Sequence, residues 1–386
     1  STPGQAYEDG MGFVQFYFGL PIAMVVLCAK IVPAFSRLRV YTAYEYLESR
    51  FDLRTRLLTA LLFLVQRGLS AGITIYAPAI ILSSMLGWSL DLTNVVVGLV
   101  VIVYTVSGGT RAVSQTQKHQ MVVIMSGMVV ATVYLLRALP DHVSFGAALD
   151  IAGAAGKVNP VSFSFDAQTR YTIWSGLTGG FFIALAYFGT DQSQVQRYLT
   201  GGSLTQARLG LIFNGLLKIP MQAFILLIGV VLYAFYVYSP PPVFWNGPAL
   251  ARLEAGPAAA ELASIKATHG QALARRQAAA NALVTARQRG DDQGRLAARA
   301  ELAREASAVR AQRVAAHATI KRADPRVETK DADYIFITFV LAQLPPGLIG
   351  LLLAVIFSAA MSSTASELNA LASTSVIDFY KRVAKP

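Results

Sequence analysis

Three features of this 386-residue chain point to an all-α, polytopic membrane helix bundle. Hydrophobic residues make up 54% and charged residues only 14%, against roughly a quarter charged in soluble domains. Apolar segments recur near 11–34, 57–87, 92–107, 120–139, 173–190, 209–238 and 347–377, and most reach the ~20 residues a membrane helix needs. Basic residues gather in alternate connections, as the positive-inside rule requires. Seven spans are predicted.

The first segment follows STPGQAYEDG directly, with no secretory signal before it. It holds Cys28, the one cysteine, which excludes an intrachain disulfide and reads as a packing residue. The connection after it is basic, with Arg37, Arg39, Arg50, Arg54 and Arg56. The next, Gly87–Leu92, has only Asp91. The third holds Arg111 and Lys118, and 138–170 is mixed, with Asp141, Asp150, Lys157, Asp166 and Arg170. Arg197 and Arg208 follow the fifth span; Lys381, Arg382 and Lys385 follow the last. This alternation places Ser1 outside and the basic loops in the cytoplasm of a multi-pass protein in the cell's inner (plasma) membrane, with the lipid bilayer as its surroundings. Trp88, Tyr104, Trp174 and Tyr236 fall near span ends, where interfacial aromatics collect.

Segment 249–330 is different material, rich in Ala, Arg and Gln. It carries twelve Arg and three Lys against eight acids, so +7 of the net +11 sits there. Its residues are strong helix formers, and Gly290-Asp291-Asp292-Gln293-Gly294 breaks them. A helical hairpin outside the membrane is predicted, roughly 257–289 and 295–320. Leu262, Ile265, Leu273, Val284, Leu302 and Val309 give it a thin core. The domains expected are 1–247, a transmembrane core of six spans; 248–330, the hairpin; and 331–386, the seventh span. A basic hairpin suits nucleic acid or lipid headgroups. A solvated elaboration of an external loop explains the same composition, and no nucleic acid is expected. The hairpin's partner is open.

Polar groups at membrane depth are the functional candidates, because hydrocarbon does not solvate them. Arg67 lies several residues inside a span, holding either an anionic substrate or backbone carbonyls. Lys218, two residues before Pro220, is either a substrate or gate contact or a lysine snorkelling to the cytoplasmic surface. Asp191 and Arg197 are too far apart for an i,i+4 pair, so each needs another partner. Gly176, Gly179, Gly180 and Gly189 permit a broken helix or close packing. Leu351–Ser373 spans a bilayer yet carries Ser362, Ser363, Thr364, Ser366, Glu367 and Asn369. Hydroxyls there either pack helices together or ligate a small hard cation. Enzyme readings find little. His119, His142, His269 and His317 show no metal-ligand spacing, and there is no phosphate loop or nucleophile elbow.

Three strings carry a resemblance. LPPGLIGLLLAVIFSAAMSSTASELNALAS (344–373), YTVSGGTRAVSQTQKHQM (104–121) and YFGTDQSQVQRYL (187–199) together resemble the sodium:solute symporter family over roughly 1–245 and 331–382. The hairpin lies outside the common pattern. IYAP (75–78) and QVQRYL lean toward the branch carrying monocarboxylates, vitamins and iodide.

The resemblance implies the leucine-transporter fold, two five-helix inverted repeats around a central site, of which this chain holds a partial core. On that template the chain starts just past the midpoint of the first core helix and ends with the eighth. The implied function is sodium-driven uptake of a small organic solute, such as a sugar, sialic acid or monocarboxylate-like anion, by alternating access. Sodium is the coupling ion. Its implied ligands are the Ala359 carbonyl and the Ser362 and Ser363 hydroxyls, at i, i+3 and i+4. The family's frequent Thr-Asp pair reads Thr116-Gln117 here, and a further hydroxyl position is Ala365, so one sodium per cycle is expected. Tyr187 aligns with an aromatic that covers substrate from the cytoplasmic side, Phe188 follows it, and Lys218 aligns with a sugar-contacting lysine. Ala184 replaces a polar sugar contact. Arg67 lies about one turn from a carboxylate-binding arginine of sialic-acid carriers. The competing readings are a transporter-derived receptor that binds solute without moving it, a channel and, more distantly, a membrane enzyme.

Overall fold

The computed structural model describes the backbone of residues 1–38, 40–86, 88–166, 168–199 and 203–384. Within its helices it describes all side chains but those of 77, 81, 84–86, 104, 107–116, 118, 355 and 384. Helices account for nearly all regular structure. In chain order they are α1 (Thr2–Asp9), α2 (Met11–Leu38), α3 (Ala43–Arg50), α4 (Leu53–Leu86), α5 (Leu90–Arg137) and α6 (Phe145–Ala154). Then come α7 (Ile173–Gly189), α8 (Gln192–Leu199), α9 (Leu204–Tyr238) and α10 (Gly247–Glu254). The last are α11 (Ala259–Arg289), α12 (Asp292–Ala323), α13 (Ala332–Gln343), α14 (Pro346–Thr374) and the wider-wound α15 (Ser375–Ala384).

Among the described residues, five helical stretches are long and apolar enough to cross a membrane: Met11–Leu38, Leu53–Ile80, His119–Arg137, Leu204–Tyr238 and Pro346–Val383. A sixth forms if α7 and α8, bent by 62° at their break, count as one. The remaining expected span, 92–107, appears as the short apolar helix Leu90–Val103. It continues without a loop into α5, whose 48 residues rise about 72 Å, over twice the bilayer core. The connection expected around Arg111 and Lys118 is therefore helical. Gly108-Gly109 and the Val, Ser and Thr residues beside it are weak helix formers, so local propensity does not account for the continuity. Leu58, Leu62, Leu69 and Ile73 stand exposed along α4 at helical spacing, the apolar stripe that lipid covers.

The chain divides into two compact units, each with its own core. The first comprises Ser1–Gln15, Met128–Ile173 and Pro220–Ile349. Its centre is aromatic: Tyr7 lies 5.6 Å from Tyr233, 5.8 Å from Tyr236 and 6.1 Å from Trp245, ring to ring. The hairpin belongs to this unit, so the boundaries expected near 247 and 330 fall inside it. Its turn forms as the sequence dictates. Gly290 ends α11 at φ 68°, which only glycine adopts without strain, and the Asp291 carboxylate accepts from the Gly294 N–H at 2.9 Å to start α12. Leu262, Leu273, Val284, Leu302 and Val309 are buried, with alanines filling the rest.

The hairpin's positive charge is turned inward to a degree composition does not show. Arg313 bridges Glu8 at 2.6 Å and Asp331 at 2.7 Å. Arg287 and Arg295 both engage Asp150. Arg276, only 2% exposed, donates to the Tyr236 carbonyl at 2.7 Å. These four arginines tie the hairpin to the rest of its unit. His269 is buried beside them with no hydrogen-bond partner at Nε2. Burial, then Arg276 and Arg313, pushes its imidazole down to about 4. The unfolded chain takes up that proton near pH 6.5 while the folded chain does not, so stability falls as pH drops from about 6.5 to 4 and levels below. His269→Leu should flatten this part of the pH–stability profile, removing at most about 3 kcal/mol of acid sensitivity. Melting curves across that range check it.

The second unit comprises Phe16–Gly127, Trp174–Ile219 and Gly350–Pro386. One core cluster joins Leu20, Met24 and Leu27 of α2 to Ala184 of α7 and Leu211 of α9. Another joins Phe35 and Tyr44 to Phe63 of α4, Val195 of α8 and Ala370 of α14. Together they fix α4, the α7–α8 break and α14 around a single hollow.

Candidate functional site

The hollow lies wholly in the second unit and measures about 700 Å³, within the roughly 300–1,000 Å³ of small-molecule sites. Four residues expected from sequence line it: Tyr187, Phe188, Lys218 and Ser363. Tyr187 and Phe188 come from the last turn of α7 and meet edge to face at 5.1 Å. The Tyr187 hydroxyl accepts from the Gln194 amide at 2.9 Å, which fixes the ring from across the break. Lys218 comes from α9, with its ammonium 5.8 Å from the Tyr17 ring centre. No carboxylate lies within ion-pair distance of it among the described residues. It lines the cavity.

The α7–α8 break is built by Asp191. One carboxylate oxygen accepts from the Ser193 N–H at 2.9 Å and the Ser193 hydroxyl at 2.7 Å, capping α8. The other oxygen pairs with Arg67. Gln196 and Arg197 then dock α8 on α14: Gln196 donates to the Ser366 carbonyl at 3.1 Å and accepts from Asn369 at 3.2 Å, and Arg197 donates to the Ser366 hydroxyl at 3.0 Å. Two of the three strings read from the sequence thus find each other in space. The third, 104–121, lies mostly outside the described side chains, Thr116 included. Its described Gln120 donates to the Ser358 carbonyl of α14 at 3.0 Å.

Arg67 does not line the cavity. Its guanidinium is matched by Asp191 and, at 3.1 Å, by Glu367. Two carboxylates engage it, and its Nε has no hydrogen-bond partner among the described residues. Ala359 and Ser362 also lie off the cavity wall. Adjacent helix positions diverge by about 100°, so Ser362 is buried while Ser363 is exposed to the hollow. The Ser362 hydroxyl has no hydrogen-bond partner, whereas Thr364 satisfies itself on the Ala360 carbonyl at 3.0 Å. α14 runs unbroken through Ala359, so that carbonyl offers only its second lone pair, not one freed by an opened turn. No cluster of three His, Cys, Asp or Glu that could hold a metal occurs among the described residues.

Sequence reasoning missed Asn214, Thr74 and Gln206 in the cavity wall. Asn214 was within reach, because it stands four residues before Lys218 on the same face of α9.

The model of the sodium:solute symporter family matches residues 1–255 and 312–386, leaving out most of the hairpin. The human sodium/iodide cotransporter is 35% identical over 244 residues, which cover 62% of this chain and 37% of that protein. The sodium-coupled monocarboxylate transporter 1 of Xenopus laevis is 32% identical over 235 residues, 61% of this chain and 37% of that one. The sodium-dependent multivitamin transporter of Oryctolagus cuniculus is 30% identical over 247 residues, 62% and 37%. The chain thus matches little more than a third of the length of these relatives. A solved structure of a Na+-coupled sialic acid symporter, substrate-bound and outward-open, superposes on the whole chain and 64% of its own with a TM-score of 0.71. At 22% identity this is a likeness of fold. By the reach of the family match, the chain is a multi-pass membrane protein that belongs to the sodium:solute symporter family.

Proposed function

We propose that the protein moves a small anionic solute, such as a monocarboxylate or a halide-sized ion, together with sodium across the plasma membrane. The observation that carries this is shared space: Ser363, on the helix with the vicinal hydroxyls, opens onto the cavity that Tyr187, Phe188 and Lys218 line. The relatives that couple sodium to iodide and monocarboxylates support the substrate class. Lys218, with no carboxylate within ion-pair distance among the described residues, supplies the solute's counter-charge. Tyr187 and Phe188 cover it.

Sodium is cargo in this reading, held by the Ser362 and Ser363 hydroxyls and the second lone pair of the Ala359 carbonyl. The buried, unpartnered Ser362 hydroxyl supports this, since a hard cation is a fitting partner for it. Gln117 and Ala365 offer no carboxylate or hydroxyl for another ion, so one sodium accompanies each solute. Sodium and solute each favour the same conformation and so raise each other's affinity, by linkage.

The test is uptake of labelled iodide and lactate into vesicles carrying the protein, in sodium and then in choline. Uptake should require sodium. Ser362→Ala should raise the sodium concentration for half-maximal uptake by about 10–150-fold, the equivalent of the ~1.5–3 kcal/mol of one contact to a charged group. Sodium-independent uptake, or binding without uptake as in a receptor, would refute the proposal.

A further inference from the structure

Arg67 occupies a costly position, 7% exposed inside a membrane helix, and its charge partners lie within the protein. Its contacts are specific. From α4 it reaches Asp191 at the α7–α8 break, Glu367 on α14 at 3.1 Å, and the Tyr187 ring at 5.8 Å. Each carboxylate is divided. Asp191 gives its second oxygen to the start of α8, and Glu367 gives its second oxygen to the Thr74 hydroxyl at 3.3 Å. Glu367 stands one turn beyond Ser363, and both line the cavity. Asp191 stands four residues beyond Tyr187. One guanidinium therefore joins the helix of the proposed cation hydroxyls to the element that holds the aromatic cover.

We propose that Arg67 is a positioning residue for coupling: it transmits the state of α14 to the α7–α8 break, so that cation binding sets the placement of Tyr187. The inference rests on the symport reading above and deepens it. Separating either carboxylate from the guanidinium would leave a buried charge uncompensated, so α14 and the break move as one body. A lysine cannot do the same, because a compact ammonium lacks the planar fork that engages two carboxylates at once.

The experiment measures equilibrium binding of iodide and lactate with and without sodium, and of sodium with and without solute, on the purified protein. The variants are R67K and R67Q/E367Q, the second keeping net charge constant. In the unaltered protein sodium should raise solute affinity by a factor of about 5–150. In R67Q/E367Q that factor should fall to within about twofold of unity. In R67K, which leaves every cavity-lining side chain in place, it should fall likewise, while each ligand's affinity measured alone stays within about twofold of the original. Two results would overturn the inference: an undiminished factor in both variants, or a loss of about tenfold or more in the sodium-free solute affinity of R67K, which would make Arg67 a solute contact. Should R67Q/E367Q fail to fold, R67K carries the test with the same outcomes. If the unaltered protein shows no sodium effect, the symport reading itself fails, and the inference with it.

Discussion

Arg56→Met should destabilise the protein by about 3–5 kcal/mol, the typical cost of leaving a buried charge without its partner. Arg56 is 6% exposed and Asp378 is fully buried. The Arg56 Nε donates to Asp378 at 2.7 Å, its Nη1 pairs with Glu48 at 2.6 Å, and Nη2 reaches the Ile377 carbonyl at 3.4 Å. Thr42 adds a hydroxyl to Asp378 at 2.8 Å. Removing the guanidinium strands Asp378, whose other oxygen already has no partner, and leaves Glu48 with Arg382 alone. The cost arises from the stranded carboxylate rather than from the strength of the pair. Arg56→Met combined with Asp378→Leu should therefore recover more than half of the loss. Melting of the detergent-solubilised protein would show a fall on the order of 10 °C for the single variant and partial return for the double. A double variant as unstable as the single would mean that the charges matter only as packing volume.

The same pair shows what the sequence conceals. Arg50, Arg54 and Arg56 carry one message when read along the chain, a basic cytoplasmic connection, and for Arg54, which is exposed, that message is complete. Arg56 differs only because Asp378, 322 residues away, folds against it. Arg67 follows the same rule. Its depth and cost were legible, but its partners Asp191 and Glu367 sit in two other segments, and no local pattern pairs them. By contrast, the hairpin turn at Gly290-Asp291 rests on neighbours within four residues and was readable almost to the residue. The serines fall between these cases. Their type and spacing pointed to a polar role, yet only the rotation of α14 decides that Ser363 meets the hollow while Ser362 is buried. The continuous α5 was missed for another reason: loop charge sets topology without requiring the backbone to leave the helix.

Gly180→Val should disrupt the second unit by about 3 kcal/mol or more, while Gly179→Ala, one residue earlier, should be neutral or stabilising by up to about 1 kcal/mol. A Cβ at Gly180 would sit well inside the contact radius of the Phe16 carbonyl oxygen. That atom is backbone and cannot swing aside as a side chain would. Gly19 mirrors the contact, since a Cβ there would overlap the Phe181 amide and come 2.8 Å from the Gly176 carbonyl. α2 and α7 thus cross backbone to backbone, as small residues allow in membranes. A Cβ at Gly179 meets no described atom within 4 Å, so alanine there adds helix propensity without a clash. The glycines of α7 divide their work accordingly: Gly180 sets the approach, and Gly189 ends the helix beside the bend. Because α7 carries Tyr187 and Phe188, a valine that pries it off α2 should also displace the cavity's aromatic cover. Solute binding should then weaken along with the melting temperature in Gly180→Val, and neither should fall in Gly179→Ala. Equal losses in the two variants would show that helix flexibility at this run of glycines, not close approach, is what the chain requires.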